Sequence, residues 1–264
     1  MDTISLLNSH RSIRKYKSTP VPQELIDRII EAGERASNTG NMQLYSVVVT
    51  RQAERLAALS KLHFGQGATA PLFLTVCADV NRYHLWCRQR GCDEPYSNLL
   101  WLLSATVDAS LFAQNLCVAA EAEGLGFCYL GTVLYNTAAI ADMLELPTGV
   151  VPVVALSMGW PDEQPAQSER LPIEGIVHEE RYRRYSNDDI DAIHRLREEF
   201  AFNREMVKED GKAAVVGETL PVKVVELRRS TRTVRVSHLR TYQEARTARV
   251  NAEVDNTKKA IKKV

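Results

Sequence analysis

The sequence predicts an α+β fold, in which layers of helix and sheet pack on one another. Helix-like and strand-like stretches occur in mixed order, with helices concentrated in the first third of the chain. The run at residues 72–78 is apolar at every position but Thr75, which is typical of a strand covered on both faces. We predict buried strands over residues 46–50, 72–78, 127–131 and 150–158.

The helices are predicted from apolar spacing and from the residues that begin or end each stretch. Pro22 suits a first helical turn, and apolar residues then recur at helical spacing up to about Ala36. Gly124 and Gly126 follow the longest helix, where glycine readily supplies a positive φ. Further helices are predicted over residues 3–10, 52–62, 81–91, 98–120 and 140–146.

Residues 98–120 are long enough to cross a membrane. However, Asp108, Gln114 and Asn115 lie within this stretch, and a carboxylate is costly in hydrocarbon. We therefore interpret it as the buried central helix of a soluble protein, apolar nearly all round. The first residues lack the apolar core of a signal peptide, so we expect a cytoplasmic protein with no membrane partner.

The charge of the chain is balanced overall but uneven along its length. The formal net charge of the 264 residues is zero, which argues neither for nor against nucleic acid. Residues 203–264 hold 15 Lys and Arg against 8 Asp and Glu, a net of +7, and a single aromatic residue, Tyr242. We therefore predict a main domain over residues 1–200 and a basic extension over residues 201–264.

Several classes of site are not indicated. The five cysteines have irregular spacing without a CxxC pair, so we predict reduced thiols and no metal site. No GxGxxG follows a strand, which argues against a Rossmann site, and no GxSxG, HExxH or GxxxxGK[ST] occurs.

Three features could bind an anionic ligand. The first is the cluster His10, Arg11, Ser12 and Arg14, whose donors suit phosphate oxygens, although such clusters are usually solvated basic turns. The second is Leu130-Gly131, since glycine allows a flat ligand to approach the backbone, although by itself this feature is better explained by a simple turn at the end of a strand. The third is Arg170, which by itself is an ordinary surface arginine.

The order of these features resembles the nitroreductase superfamily. HRSIRKY at residues 10–16 is similar to the family's opening motif. Supporting segments follow in the family's order at residues 36–43, 77–82, 119–126, 129–131, 156–161 and 170–172. The resemblance covers roughly residues 3–185, and it is to the NADPH-nitroreductase and flavin-reductase branch, the oxygen-insensitive major nitroreductase type.

The resemblance implies a central, mainly antiparallel sheet flanked by helices, in an intimate homodimer that binds one FMN per subunit at the interface. It implies an FMN-dependent enzyme with NAD(P)H as co-substrate. Hydride would pass in two steps through flavin N5 to a small-molecule electron acceptor, such as a nitroaromatic, a quinone or a free flavin.

The resemblance also assigns roles to residues. His10, Arg11 and Ser12 would hold the FMN phosphate and ribityl region. Arg14 would stabilise the reduced ring at its pyrimidine edge and is our candidate catalytic residue. The remaining candidate cofactor contacts are Asn38, Thr39, Gly40, Gln66, Leu130, Gly131 and Arg170, the last at the phosphate.

The sequence also departs from the family pattern. Ser168 stands where the family has a lysine, which we expect to weaken FMN retention, and Thr132 stands where a second glycine is frequent. Beyond about residue 200 the resemblance fades, so no preference between NADPH and NADH is predicted.

Alternatives to this function remain open at this point. One is another reaction of the same fold, such as dehalogenation or flavin destruction, and another is a weak FMN binder without activity. A third is a flavoprotein whose basic extension binds nucleic acid or a protein, although a single aromatic residue provides little stacking surface for nucleic acid.

Overall fold

The structure of the protein, a computed structural model, describes residues 2–93, 98–205, 223–228 and 233–237. The chain divides into two compact units, Met1–Ser168 and Glu169–Val264. The domain boundary predicted at residue 200 stays a prediction.

Helices and strands alternate in the described part of the first unit much as the sequence predicted. The helices are α1 Thr3–Asn8, α2 Gln23–Gly33, α3 Ala53–Leu62, α4 Asn81–Gln89, α5 Leu99–Ala122 and α6 Thr137–Met143. The strands are β1 Tyr45–Thr50, β2 Leu72–Asp79, β3 Gly126–Tyr129 and β4 Val150–Gly159. The largest difference from the prediction is α6, which begins and ends three residues earlier than predicted; the positive φ of 55° at Glu145 does not allow it to continue.

The four strands form one sheet in the order β1-β2-β4-β3, and each neighbouring pair is antiparallel. The register between β2 and β4 shifts at one point, where Val76 faces Val154 but Cys77 faces Pro152. Proline has no N–H to give to the ladder, so such an irregularity is expected beside it. Every residue of β2 is buried, which confirms that this strand is covered on both faces.

Helices cover the two faces of the sheet. On one face, Phe112 and Leu116 of α5 belong to a core cluster with Leu74 of β2 and Ile29 of α2. Gly33 lets α2 approach α5 closely, since a Cβ at that position would lie 2.9 Å from the Phe112 ring. A second cluster includes Leu59 of α3 together with residues of β2 and α6. The layered α+β prediction is confirmed.

The helix α5 differs from its prediction, because it is not buried all round. Its inner face carries the buried Ala105, Asp108 and Phe112, whereas the opposite face is exposed. The exposed apolar side chains recur at helical spacing: Leu99, Leu103, Val107 and Leu111. Among the described residues α5 has the length and composition of a membrane span, and its inner face packs into the core cluster against the sheet.

The second unit contains the helix α7 Asn187–Glu205 and a hairpin of two antiparallel strands, β5 Lys223–Arg228 and β6 Thr233–Ser237. Before α7, the Tyr185 hydroxyl donates to the Gly175 carbonyl oxygen at 3.0 Å. Most of the predicted basic extension, with Tyr242, lies outside the described residues.

Candidate active site

The amino-terminal segment, residues 10–16, runs beside β3. The Ile13 N–H donates to the Phe127 carbonyl oxygen at 2.9 Å, and Tyr16 forms an isolated bridge with Pro161 after β4. Gly126 makes the close approach possible, since a Cβ there would lie 2.6 Å from the Ile13 side chain. The structure thus brings the HRSIR cluster to the strand that leads into Leu130-Gly131.

The loop of residues 63–70, which contains Gln66, lies at the same place. The Tyr16 N–H donates to the Thr69 hydroxyl at 3.3 Å. The Tyr16 hydroxyl lies 2.9 Å from the Ser157 carbonyl oxygen on β4, and burial raises the pKa of this phenol. Gly67, with φ of 68°, packs so tightly that a Cβ would lie 2.6 Å from the Phe73 ring. The exposed Gln66 side chain therefore projects from a firmly held loop.

His63 and Thr132 join this loop to the turn after β3. His63 is fully buried, its Nδ1 lies 2.8 Å from the Thr132 Oγ1, and its ring stacks on Phe73. Burial lowers the pKa of His63 to about 4, so the imidazole is neutral near pH 7. Its Nε2 is buried without a hydrogen-bond partner among the described residues. Sequence reasoning missed this pair, although Thr132 in place of the frequent glycine was a visible signal.

The residues predicted to bind phosphate differ in whether their side chains already have hydrogen-bond partners within the fold. The His10 Nδ1 lies 2.6 Å from the Glu121 carboxylate of α5, and the His10 ring stacks on Phe127 at 5.2 Å between centroids. By contrast, the Arg11 Nε is buried and has no partner among the described residues. An unpaired buried donor costs free energy unless a ligand accepts from it. Arg11 and the half-buried Ser12 therefore suit an anion.

Arg14 is exposed and lies near the Cys128 thiol of β3. Burial raises the pKa of Cys128, and the Arg14 guanidinium opposes that effect. The backbone N–H groups of Arg14 and Lys15 donate to the Glu163 Oε1 at 2.5 and 3.0 Å. Glu163, which sequence reasoning did not single out, thus fixes the backbone of the candidate catalytic residue.

Leu130 and Gly131 form the turn in which β3 ends. Leu130 is buried, and its N–H donates to the Ala155 carbonyl oxygen of β4 at 2.8 Å. Gly131 is exposed, and a Cβ there would meet no described atom within 4 Å. Packing therefore does not require glycine at residue 131, unlike residues 67 and 126. The open space beside its backbone suits the approach of a flat ligand.

The loop of residues 38–44 is held at a different place along α5. The Thr39 N–H and hydroxyl both donate to the Asp108 Oδ1 at 2.9 Å, and the Leu44 N–H donates to Oδ2 at 3.4 Å. Asp108 is 1% exposed, so sequence reasoning noted its cost but missed its function as an anchor. Since Asp108 and Glu121 are 13 residues apart on α5, their levels differ by about 20 Å.

Asn38 and Gly40 complete this loop. The Gln43 N–H donates to the Asn38 side-chain oxygen at 3.3 Å, and Gly40 adopts a positive φ of 55°, which favours glycine. Arg170 belongs to the second unit, where its guanidinium donates to the Glu169 carbonyl oxygen at 3.2 Å. The roles assigned to these residues stay predictions.

The first unit therefore brings together residues 10–16, 63–70 and 130–132, which offer cationic and hydroxyl donors beside an open backbone position. This donor set fits a ligand that carries a phosphate and a flat ring system.

Known proteins match the chain over this same region. The nitroreductase family matches residues 7–160. The oxygen-insensitive NADPH nitroreductase of Salmonella typhimurium is 38% identical over 185 residues, which cover 68% of this chain and 74% of that protein. The chain belongs to the nitroreductase family. The FMN reductase [NAD(P)H] of Bacillus subtilis is 37% identical over 185 residues, covering 69% of this chain and 74% of that protein.

Solved structures of nitroreductase-family proteins share the fold. The NfrA1 nitroreductase of Bacillus subtilis has a TM-score of 0.73 at 28% identity, covering 80% of this chain and 87% of that one. The NADPH:FMN oxidoreductase of Vibrio harveyi, solved with NAD+, has a TM-score of 0.70 at 30% identity, covering 75% and 85%. The predicted family, its nitroreductase and flavin-reductase branch and the antiparallel sheet flanked by helices are confirmed.

Proposed function

We propose that this protein is an FMN-dependent NAD(P)H oxidoreductase that reduces small electron-poor acceptors: nitroaromatics, quinones or free flavins. Relatives that match two thirds of the chain carry the names NADPH nitroreductase and FMN reductase. The observation in the structure that supports this function is the buried, unpaired Nε of Arg11, in the segment that runs along β3 towards the open turn at Gly131. With a quinone, NAD(P)H and one proton would yield NAD(P)+ and the hydroquinone.

Bound FMN would supply the two-electron hydride chemistry. Arg11 and Ser12 would donate to its phosphate, and His10 would be oriented for a further contact by its pairing with Glu121. Arg14, whose backbone Glu163 fixes, would place a positive charge beside the pyrimidine edge and stabilise negative charge there. Leu130 and Gly131 would lie along the ring, and Gln66 would contact it from the neighbouring loop.

The homodimer is part of this proposal. The exposed apolar face of α5 is the kind of surface that a second copy covers. The 38–44 loop is anchored about 20 Å along α5 from His10, so within one chain these two predicted contacts are far apart. A partner subunit that supplies its own Asn38, Thr39 and Gly40 would complete the site.

The dimer can be tested by placing a charge on that face. We expect Leu103→Glu to yield monomers in sedimentation experiments and to lose FMN, because the site would be incomplete. Ile4→Glu, a change at an exposed apolar residue of α1, is the matched control and stays dimeric. A dimeric Leu103→Glu protein with normal flavin content would contradict this arrangement.

The partners proposed are therefore a second copy of the chain and a small-molecule acceptor, in a cytoplasmic enzyme without a membrane or nucleic-acid partner. A nucleic-acid or protein-binding function of the basic extension finds no support in the names of the relatives. Residues 206–222 and 238–264 of that extension lie outside the described residues.

The decisive experiment uses the purified protein and its visible spectrum. We expect a yellow protein that releases FMN on denaturation and bleaches when NADPH or NADH is added without oxygen. Adding a quinone should restore the colour. Arg14→Ala should slow the bleaching or loosen FMN. A colourless protein that binds no added FMN would refute the proposed function.

A further inference from the structure

A cavity of about 510 Å³ lies between α4 and the loop that contains Gly40. Its lining residues are Gly40, Asn41, Met42, Arg82, Tyr83 and Trp86. This volume falls within the range of small-molecule sites and exceeds that of a single aromatic ring system. Apart from Gly40, none of these residues has a role in the function proposed above.

The wall of the cavity formed by α4 is aromatic and anchored. Trp86 is 53% exposed, although its indole is a large apolar group. The Tyr83 ring lies 5.7 Å from the Trp86 ring and 6.0 Å from the Trp101 ring of α5, measured between centroids. Trp101 packs against the buried cluster that contains Leu44. The core therefore holds Tyr83 in place, and Tyr83 supports Trp86 at the surface.

The other walls are held by hydrogen bonds. The Arg82 guanidinium donates to the carbonyl oxygens of Gln43 and Tyr45, the latter at 3.1 Å, and its backbone N–H donates to the Asp79 carboxylate at 3.1 Å. These bonds tie α4 to the 38–44 loop, and Asp108 holds that loop from α5. The cavity is thus preformed rather than created by a mobile side chain.

We propose that this cavity receives the ring of a planar aromatic electron acceptor, which stacks on Trp86. The inference rests on the proposed function, because the 38–44 loop borders the flavin only if it reaches the FMN bound by the partner subunit. An acceptor held on that loop would then lie at the edge of the reducing centre. Aromatic stacking beyond simple area burial corresponds to an affinity gain between about twofold and tenfold.

The test compares an aromatic with a non-aromatic acceptor on the holoenzyme. For Trp86→Ala we expect the ratio of the KM for menadione to the KM for ferricyanide to rise between about twofold and tenfold. Trp86→Phe should restore most of the ratio, because a ring is retained. Leu85→Ala, a change at the neighbouring exposed residue outside the cavity, should leave the ratio at the wild-type value.

The inference would be overturned if Trp86→Ala leaves the ratio unchanged, whether neither KM changes or both KM values rise by the same factor. A binding measurement separates this outcome from failure of the proposed function. Menadione should quench the tryptophan fluorescence of the oxidised wild-type holoenzyme, and Trp86→Phe should remove most of that quenching. Failure of NAD(P)H to bleach the flavin would instead refute the proposed function, whatever the quenching shows.

Discussion

The 38–44 loop and the amino-terminal segment both rest on α5 through a carboxylate, but the fold satisfies them to different degrees. In the loop, Asp108 accepts from two backbone N–H groups and one hydroxyl. In the segment, Glu121 pairs with His10, while the buried Nε of Arg11 finds no partner among the described residues. The fold itself satisfies the donors of the loop, whereas the segment holds a buried donor that a bound ligand could satisfy. Substitution of the Asp108 anchor should therefore act first on stability, and substitution of Arg11 on ligand binding.

The largest expected effect is at Asp108. Asp108→Ala should lower the free energy of unfolding by about 4 kcal/mol, because three donors lose a charged acceptor and the N–H of the buried Leu44 stays unpaired. Urea unfolding measures this loss. Asp108→Asn retains one acceptor oxygen and should lose about half as much. A loss below about 1 kcal/mol for Asp108→Ala would show that the loop is not anchored in this way.

The next effect concerns His63, whose Nδ1 is paired with Thr132 while its buried Nε2 has no partner among the described residues. Its pKa falls from 6.5 to about 4 on burial, so below pH 6.5 the unfolded chain binds a proton that the folded chain does not. Stability should therefore decrease as the pH falls from 6.5 to about 4, by at most about 3 kcal/mol.

Because carboxylates titrate in part of the same range, His63 is best isolated by a difference measurement. The stability of the wild type minus that of His63→Phe should decrease across this pH window. A pH-independent difference would contradict the assignment.

Thr132 is the hydrogen-bond partner of His63 and can be tested separately. Thr132→Val should lower the free energy of unfolding by about 1 kcal/mol, whereas Thr132→Ser keeps the hydroxyl and should lower it less.

The next prediction concerns Arg11 of the amino-terminal segment, whose buried Nε has no partner among the described residues. Arg11→Ala should change the stability of the FMN-free protein by no more than about 0.5 kcal/mol, because no hydrogen bond of the buried Nε is lost. The Kd for FMN should rise between about tenfold and a hundredfold, since a charge-assisted hydrogen bond to phosphate disappears. Flavin fluorescence titration measures it. Arg11→Lys should be intermediate, and an unchanged Kd for Arg11→Ala would remove Arg11 from the phosphate site.

The smallest effect on stability is expected at Gly131. Gly131→Ala adds a methyl group into open space and should change the free energy of unfolding by less than about 0.5 kcal/mol. Its effect should instead be weaker FMN binding. Gly67→Ala is the contrasting variant, since its positive φ and the Phe73 ring should cost about 2 kcal/mol or more. Equal stabilities of these two variants would erase the distinction between a structural and a ligand-facing glycine.

Much of the fold could be predicted from the sequence because its signals are local. The apolar run of β2 and the glycines after α5 follow from residues close together in the chain. The exposed face of α5 could not be predicted, because apolar residues surround nearly the whole helix and periodicity does not reveal which side is covered.

The candidate site divides in the same way. Its motifs could be identified from the sequence, but the groups that fix them are remote in the chain. Glu163 contacts Arg14 across about 150 residues, and His63 contacts Thr132 across 69. Such pairs depend on tertiary packing, for which the sequence alone offers no spacing rule.

The position of β4 in the sheet has a consequence for synthesis of the protein on the ribosome. β2 pairs with β1 on one edge, but its other neighbour, β4, begins only at Val150. Until that strand emerges, a largely apolar strand has one open edge, a state that invites aggregation. Nascent chains that stall before residue 150 should therefore require chaperone protection, and truncations there should be insoluble.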